Sequence, residues 1–290
     1  MTNPLHAAYY ADSAVQQRVC VVENVPLARD TFRIRFHCPQ IAKRILPGQF
    51  VMMRLNAGDD PLLARPLALY DTVLDGDQQP VGLDIVYLVV GKMTGRLAKL
   101  SAGSDMEVWG PLGNGFATPP TDHLLMVAGG IGQTPFLALA RQYLGQRVYG
   151  GSPLRLTPPE RVTLCYGARS GVYLAGVEDF EALGVRVRLS TDDGTCGHRG
   201  LVTDLLRREL DGAGEGTHVV CCGPEPMMEA VSQITAVAQV PCQVSLETPM
   251  ACGIGICFSC VAKVRDGQGG WDYQRTCVEG PVFAAERIEW

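Results

Sequence analysis

Four cysteines crowd the C-terminal part of the chain. Cys252, Cys257 and Cys260 lie in "MACGIGICFSC" and Cys277 follows, giving C-x4-C-x2-C-x16-C. Thiolates are soft ligands, so metal chemistry is the first reading. Structural zinc usually takes paired C-x2-C knuckles, and only one C-x2-C exists here. Haem attachment needs C-x-x-C-H, which is absent. The C-x4-C-x2-C…C pattern is the plant-type [2Fe–2S] spacing. Gly253 and Gly255 suit it, because a loop around such a cluster must turn amide N–H groups toward sulfur. A zinc site and an accidental group of free thiols are the competing readings. A [2Fe–2S] cluster passes one electron at a time, so donor and acceptor sites are expected upstream.

The other seven cysteines are scattered. Cys165, Cys221 and Cys222 lie in strand-like runs and read as small buried hydrophobes. Cys196, in "DDGTCGHRG", has no neighbour that argues for reactivity.

Phosphate-binding candidates lie upstream. In "VAGGIGQTPF", Gly129, Gly130 and Gly132 let the backbone approach a ligand, and a helix opening near Thr134 and Pro135 offers free N–H groups. This is not the G-x-G-x-x-G fingerprint. "CCGPEPMM" repeats the design, with Gly223 and Pro224 opening another helix. Two such turns at the carboxyl ends of parallel strands would face one crevice. Arg65 in "RPLALY" could fork onto a phosphate, although a lone arginine in a turn is more often a solvated surface group. "GKMTGRL" places Gly91, Thr94 and Gly95 ahead of a short helix.

The elements that must position these residues form two patterns. Up to about residue 120, short β-branched and aromatic runs separated by turns predict a small antiparallel β-barrel or a sandwich: "RVCVVENVPLA", "TFRIRFHCP", "QFVMMRLN", "PLALYDTV" and "VGLDIVYLVV". From residue 121, strands alternate with helices, which predicts a parallel-sheet α/β domain. The expected division is 15–120, 121–240 and a small cluster domain over 241–290. The chain has 290 residues, 47% apolar and 19% charged, with net charge −5. That balance gives no reason for nucleic-acid or anionic-membrane binding. The N-terminus lacks a basic start followed by an apolar run, and no apolar run is long enough to span a bilayer, so a cytoplasmic protein is expected.

The motifs "PGQFVMMR", "RPLALY", "GPLGNGF", "VAGGIGQTPF", "YGARS", "STDDGTCGHRG", "CCGPEPMM", "MACGIGICFSC" and "TCVEGPVF" carry a resemblance. From about Arg18 to Phe283 the chain resembles the electron-transfer subunits of class B dihydroorotate dehydrogenases, within the ferredoxin–NADP reductase superfamily. The glycine turns recur across the superfamily. The order of barrel, nucleotide domain and C-terminal four-cysteine segment ending in "C-x-x-G-P-V-F" is far more specific.

The resemblance implies FAD in the barrel, NAD in the α/β domain and a [2Fe–2S] cluster on Cys252, Cys257, Cys260 and Cys277. It maps flavin contacts onto Arg65, Pro66, Leu67, Ala68, Val86, Tyr87, Leu88, Met93 and Thr94. The nucleotide site takes Gly129, Gly130, Gly132, Thr134, Asp192, Gly223 and Pro224. Three positions depart from the family pattern: Ala68 replaces a serine, Met93 a glycine and Leu88 a common basic residue. The implied function is electron transfer between NAD and an FMN-bearing catalytic subunit in pyrimidine biosynthesis, in an assembly of two copies of each subunit. No general base for dihydroorotate is expected here. An electron-transfer subunit of sulfide-dehydrogenase or bifurcating-transhydrogenase type shares the layout, and a non-catalytic iron–sulfur sensor is the alternative of another class.

Overall fold

The computed structural model describes residues 11–56, 60–151, 156–211, 214 and 216–290. The first ten residues, read above as no leader, and part of the turn "NAGDDP" lie outside them. Seven antiparallel strands come first: β1 Val15–Ala28, β2 Thr31–His37, β3 Phe50–Leu55, β4 Arg65–Ala68, β5 Asp71–Leu74, β6 Pro80–Leu88 and β7 Asp105–Leu112. Short helices α1 Pro39–Ala42 and α2 Lys92–Leu97 lie between them. The strand order is β4-β3-β7-β1-β2-β6-β5. The edge strands β4 and β5 are consecutive in the chain, so the two residues between them close the sheet into a barrel. Leu69 donates its amide to Gln49 at 3.0 Å, and Tyr70 donates to Asp84 on β6 at 3.1 Å. The run "PLALYDTV", expected as one strand, is therefore two strands joined by this corner.

The second sheet holds β8 His123–Gly129, β9 Arg161–Ala168, β10 Arg186–Thr191, β11 His198–Arg199, β12 Thr217–Cys222 and β13 Cys242–Ser245. A hairpin of β14 Val261–Arg265 and β15 Trp271–Arg275 precedes the last strand, β16 Val282–Ala284. Helices α3 Phe136–Tyr143, α4 Val177–Glu181, α5 Val202–Asp211 and α6 Glu225–Val237 connect the strands. The order is β11-β10-β9-β8-β12-β13-β16, parallel except for the β13–β16 pair. The chain leaves β8 toward β9 and β10, then returns to pair β12 with β8 on its other side. That reversal makes a topological switch point between β8 and β12. Strands β13 and β16 bracket the cysteine segment, so both of its ends are anchored in this sheet.

The domains are locked together. The buried Asp71 carboxylate meets Arg141 at 2.9 Å and Arg147 at 2.8 Å, and accepts from Tyr149 at 2.7 Å. Tyr70 donates to Asp179 at 2.6 Å. Tyr70, Val86 and Phe116 share an apolar core with Phe136 and Leu164 of the α/β domain.

Two buried histidines give a pH dependence. Gln243 donates its amide to His218 Nε2 at 2.7 Å, so that nitrogen must keep its lone pair. Arg161, a donor only, faces His123 Nδ1 at 3.0 Å. Burial pushes both from the ordinary 6.5 to about 4, with Arg161 adding to the effect at His123. The unfolded chain regains the ordinary value and binds more protons. Stability is therefore fully present above the unfolded value and is lost as pH falls from there toward the folded value. The urea midpoint should fall between pH values of about 7 and 5; a flat profile across that window would contradict neutral burial.

Candidate functional site

The cysteine loop is built from its backbone outward. Gly253 and Gly255 have φ of +72° and +84°, and Phe258, with a side chain, also sits at +54°. A Cβ on Gly253 would lie 2.5 Å from Met52 Cγ, so the loop packs directly on β3. Trp109 on β7 donates its indole N–H to the Cys252 carbonyl at 3.1 Å. Arg275 donates to the Gly255 carbonyl at 2.9 Å, fixing the far side of the loop.

Cys277 is brought in by two staples. Thr276 N–H donates to the Cys260 carbonyl at 2.7 Å. Asn114 of "GPLGNGF" holds "TCVEGPVF": its side chain donates to the Val282 carbonyl at 2.7 Å and accepts the Val282 N–H at 2.9 Å. The two motifs thus meet at the barrel exit.

The four thiols lie as two pairs. Cys252 lies close enough to Cys257 to lower its thiol, and Cys277 does the same to Cys260. Among the described residues no three His, Cys, Asp or Glu side chains converge as a single metal ion needs. Two pairs fit a cluster in which each of two irons takes two thiolates. The Ser259 hydroxyl, 3.2 Å from the Cys257 sulfur, lowers that thiol to about 6, with Cys252 helping. Cys277 lowers the Cys260 thiol, and Cys260 in turn raises Cys277, so the two sulfurs act directly on each other. The Ile254 amide donates to Cys252 Sγ at 3.4 Å, as a loop around sulfide requires. Cys260 and Cys277 are buried, and Cys257 is exposed.

The remaining cysteines separate from this group. Cys165 and Cys221 are buried in the α/β core, and desolvation pushes both thiols up. Cys222, near them, is also raised by burial.

On the barrel, Arg65 is exposed, and its guanidinium turns back onto the Leu63 and Ala64 carbonyls at 3.1 and 3.0 Å. Pro66, Leu67 and Ala68 are half-buried on β4, next to β6. Strand β6 alternates. Val86 faces the α/β domain, and Leu88 is half-buried. The Tyr87 ring points into the barrel core, where its hydroxyl donates to Asn24 at 3.0 Å. Only the Tyr87 backbone can meet a ligand outside the barrel. Met93 also buries its side chain in the barrel core. The Thr94 hydroxyl caps α2, accepting from the Val90 and Gly91 amides at 3.0 and 3.2 Å, so its oxygen is already engaged. Exposed Leu62, Leu63 and Val90 flank this face. An apolar ring system with a charged tail near Arg65 fits such a surface.

At the switch point the two glycine turns abut. A Cβ on Gly132 would lie 2.2 Å from the Cys222 carbonyl oxygen, and one on Gly129 2.8 Å from Pro224 Cδ. One on Gly223 would lie 3.0 Å from the Gly129 amide. These three glycines let β8 and β12 close together. Gly130 differs: φ is +56° and nothing lies within 4 Å of its virtual Cβ, which leaves room for a ligand. Residues 130–133 form a 3-10 turn, Thr134 is buried just after it, and α3 begins at Phe136. Asp192 is exposed at the end of β10, its amide donating to Ala168 at 3.1 Å.

Sequence reasoning missed Gln133. It is fully buried, and neither side-chain amide atom has a partner. Its signal was polarity, a glutamine inside an otherwise small and apolar turn. Met52, Trp109 and Asn114 were also missed, because their roles depend on contacts across domains.

Residues 18–116 match the oxidoreductase FAD-binding domain family and residues 126–233 the oxidoreductase NAD-binding domain family. Residues 247–289 match the iron–sulfur cluster binding domain of dihydroorotate dehydrogenase B. The electron transfer subunit of dihydroorotate dehydrogenase B (NAD(+)) from Desulforamulus reducens is 35% identical over 266 residues, covering 91% of this chain and 94% of that protein. The chain belongs to the dihydroorotate dehydrogenase B electron-transfer-subunit family. The family member from Caldanaerobacter subterraneus subsp. tengcongensis is 35% identical, covering 92% of this chain and 96% of its own. Among solved structures, an NADH-dependent reduced ferredoxin–NADP oxidoreductase studied for flavin-based electron bifurcation aligns with TM-score 0.76 and 29% identity. It covers 94% of this chain and 90% of that one. As in this family, the chain carries FAD-, NAD- and cluster-binding domains on a ferredoxin-reductase-like fold. No helix among the described residues is long and apolar enough to cross a membrane.

Proposed function

We propose that this chain carries electrons between NAD and an FMN-bearing, dihydroorotate-oxidising partner subunit, in a cytoplasmic assembly of two copies of each. The observation that supports it is one small apolar core. Cys260 and Cys277 share it with Phe50, Met52 and Ala64, and Met52 lies opposite Pro66 on β4. The cluster segment is therefore one layer from the proposed flavin strand. When bound, FAD exchanges a hydride with the nicotinamide and single electrons with the [2Fe–2S] cluster, whose potentials the protein tunes.

The residues divide the work over segments 15–120, 121–240 and 241–290. Arg65 holds the FAD diphosphate, Pro66, Leu67, Ala68, Val86 and Leu88 border the flavin, and the Tyr87, Met93 and Thr94 backbones complete that site. Gly129, Gly130, Gly132, Thr134, Gly223 and Pro224 receive the nicotinamide end of NAD at the switch point. Asp192 accepts from an adenosine ribose hydroxyl and disfavours a 2′-phosphate, so NADH is preferred to NADPH. Cys252, Cys257, Cys260 and Cys277 hold the cluster. The experiment is reduction of the purified chain's flavin by NADH, followed by dihydroorotate-dependent NAD⁺ reduction once the partner is added.

Arg65→Ala should weaken FAD retention roughly ten- to hundred-fold, the size of one lost charge-assisted hydrogen bond. Iron and sulfide content should be unchanged. FAD content equal to the parent after extensive dialysis would remove Arg65 from this role.

Phe258 bears on the partner. It is 61% exposed, beside the equally exposed Ile256, with the Arg275 guanidinium 5.1 Å from its ring centroid. Phe258→Asp keeps a residue that tolerates positive φ and can pair with Arg275. NADH-to-dye activity should survive, while partner-dependent activity should drop roughly ten-fold or more, as for an aromatic interface anchor. Loss of both activities together would assign Phe258 to folding of the loop.

A second reading has its own support. The 29%-identical bifurcating oxidoreductase shares the whole layout, so a transhydrogenase-type partner would use the same path. Dihydroorotate dependence separates the two.

A further inference from the structure

The loop after β9 carries an unusual stack. Tyr173 ends a short 3-10 turn, Gly171–Tyr173, and two guanidiniums face its ring. The Arg169 guanidinium carbon lies 5.4 Å from the ring centroid and that of Arg29 5.7 Å. Arg29 comes from the other domain, at the β1–β2 turn of the barrel. Its backbone N–H donates to the Val172 carbonyl at 2.9 Å, which ties that turn to the β9 loop. Both arginines are exposed, and neither has a carboxylate partner among the described residues. The nearby Asp193 carboxylate is taken up by Thr195, accepting from its N–H at 3.0 Å and its hydroxyl at 2.6 Å. Two guanidiniums on one ring concentrate positive charge at this corner, and an anion bound beside them would offset it.

The sheet order says which anion. Strand β9 lies between β8, which ends in the glycine turn, and β10, which is followed directly by Asp192. The ends of β9 and β10 are tied, Asp192 N–H to Ala168 and Asp193 N–H to Arg169 at 3.1 and 3.3 Å. Neighbouring strands are about 4.8 Å apart, so the two outer ends are separated by about 10 Å. A dinucleotide with its nicotinamide at the switch point and its adenosine at Asp192 must carry its diphosphate over the end of β9. Arg169 stands there, with Arg29 reaching in from the barrel.

We propose that Arg29 and Arg169, stacked on Tyr173, clamp the diphosphate of the bound nicotinamide dinucleotide, and that Arg29 makes the FAD domain a direct partner in nucleotide binding. The proposal rests on the reading of the β8–β12 crevice as the NAD site. It fixes the nucleotide to both domains at once, which holds the nicotinamide against the flavin face.

The test uses the full chain loaded with FAD and cluster. Arg29→Ala, Arg29→Lys and Arg169→Ala are compared in oxidation of NADH and of reduced nicotinamide mononucleotide, which has one phosphate and no adenosine. Arg29→Ala should raise the KM for NADH roughly ten-fold and reduce the preference for NADH over the mononucleotide by the same factor. Lysine should restore part of it, and the difference between parent and Arg29→Ala should shrink as NaCl is raised. An unchanged KM overturns the clamp, as does an equal loss with both nucleotides. Loss of FAD in place of NADH affinity also overturns it, assigning the arginines to the flavin's diphosphate. A parent chain that does not bind NADH sinks the crevice reading itself, and that result is visible before any variant is made.

Discussion

Cys277→Ala should leave NADH-to-dye turnover close to that of the parent while dihydroorotate-dependent NAD⁺ reduction falls by roughly a hundred-fold or more, because a cluster with three thiolates is lost or incompletely held. The separation follows from the layout. Cys277 is buried beside Cys260 under β3 and shares no residue with the switch point. The cavity left by one sulfur is small, so the fold should survive at a cost of about 1 kcal/mol. Iron and sulfide analysis and the EPR signal of the reduced protein check cluster loss directly. If both activities fall in parallel while FAD is retained, the path from nicotinamide to dye also runs through the cluster, and the order of carriers is wrong. If neither falls, Cys277 is not a ligand.

Gly132→Ala should give the largest loss at the nucleotide end. The added methyl would meet the Cys222 carbonyl oxygen at 2.2 Å, its carbon at 2.5 Å and the Gly223 amide at 2.8 Å. All three are backbone atoms at the end of β12 and the turn after it, so no side chain can swing aside. The turn must lift off β12, which costs about 1–3 kcal/mol as overpacking does. For a chain of this size that is roughly 3–10 °C in Tm. A shift of even about 1 Å at the nicotinamide end should cost on the order of a hundred-fold in NADH turnover. Gly130→Ala is the comparison: it meets no atom within 4 Å and bears only the strain of a positive φ. Thermal melts and NADH-to-dye kinetics of the pair decide the matter. Equal effects would mean that backbone conformation, and not closure between β8 and β12, governs the turn.

What could be read from sequence was what local chemistry encodes. The four cysteines needed only their spacing, and the glycine turns needed only their place between a strand-like run and a helix. The alternation of strand and helix after residue 121 was equally legible, because each parallel strand is an apolar run bounded by turn residues. Strand β7 was not singled out. Its sequence "DMEVWGPL" mixes charges with a Gly-Pro pair that reads as punctuation, and only pairing with both β1 and β3 makes it a strand. The corner at Leu69–Tyr70 was hidden for a similar reason: hydrogen bonds to Gln49 and Asp84 split one apolar run in two. The orientation of Tyr87 depends on strand parity within the barrel. The staple from Asn114 to Val282 spans 168 positions, and no local pattern announces it.

On the proposed function, electrons pass between dihydroorotate on a partner and NAD on this chain through its own FAD and [2Fe–2S] cluster. The direct measurement is anaerobic: the complex is purified from its native cells through this chain, dihydroorotate is added without NAD⁺, and the chain's carriers are followed by EPR and flavin absorbance. The cluster and the FAD should both become reduced, and NADH should then form on addition of NAD⁺. Carriers that stay oxidised with dihydroorotate but are reduced by a ferredoxin or by sulfide would contradict it and assign the chain to a different oxidoreductase.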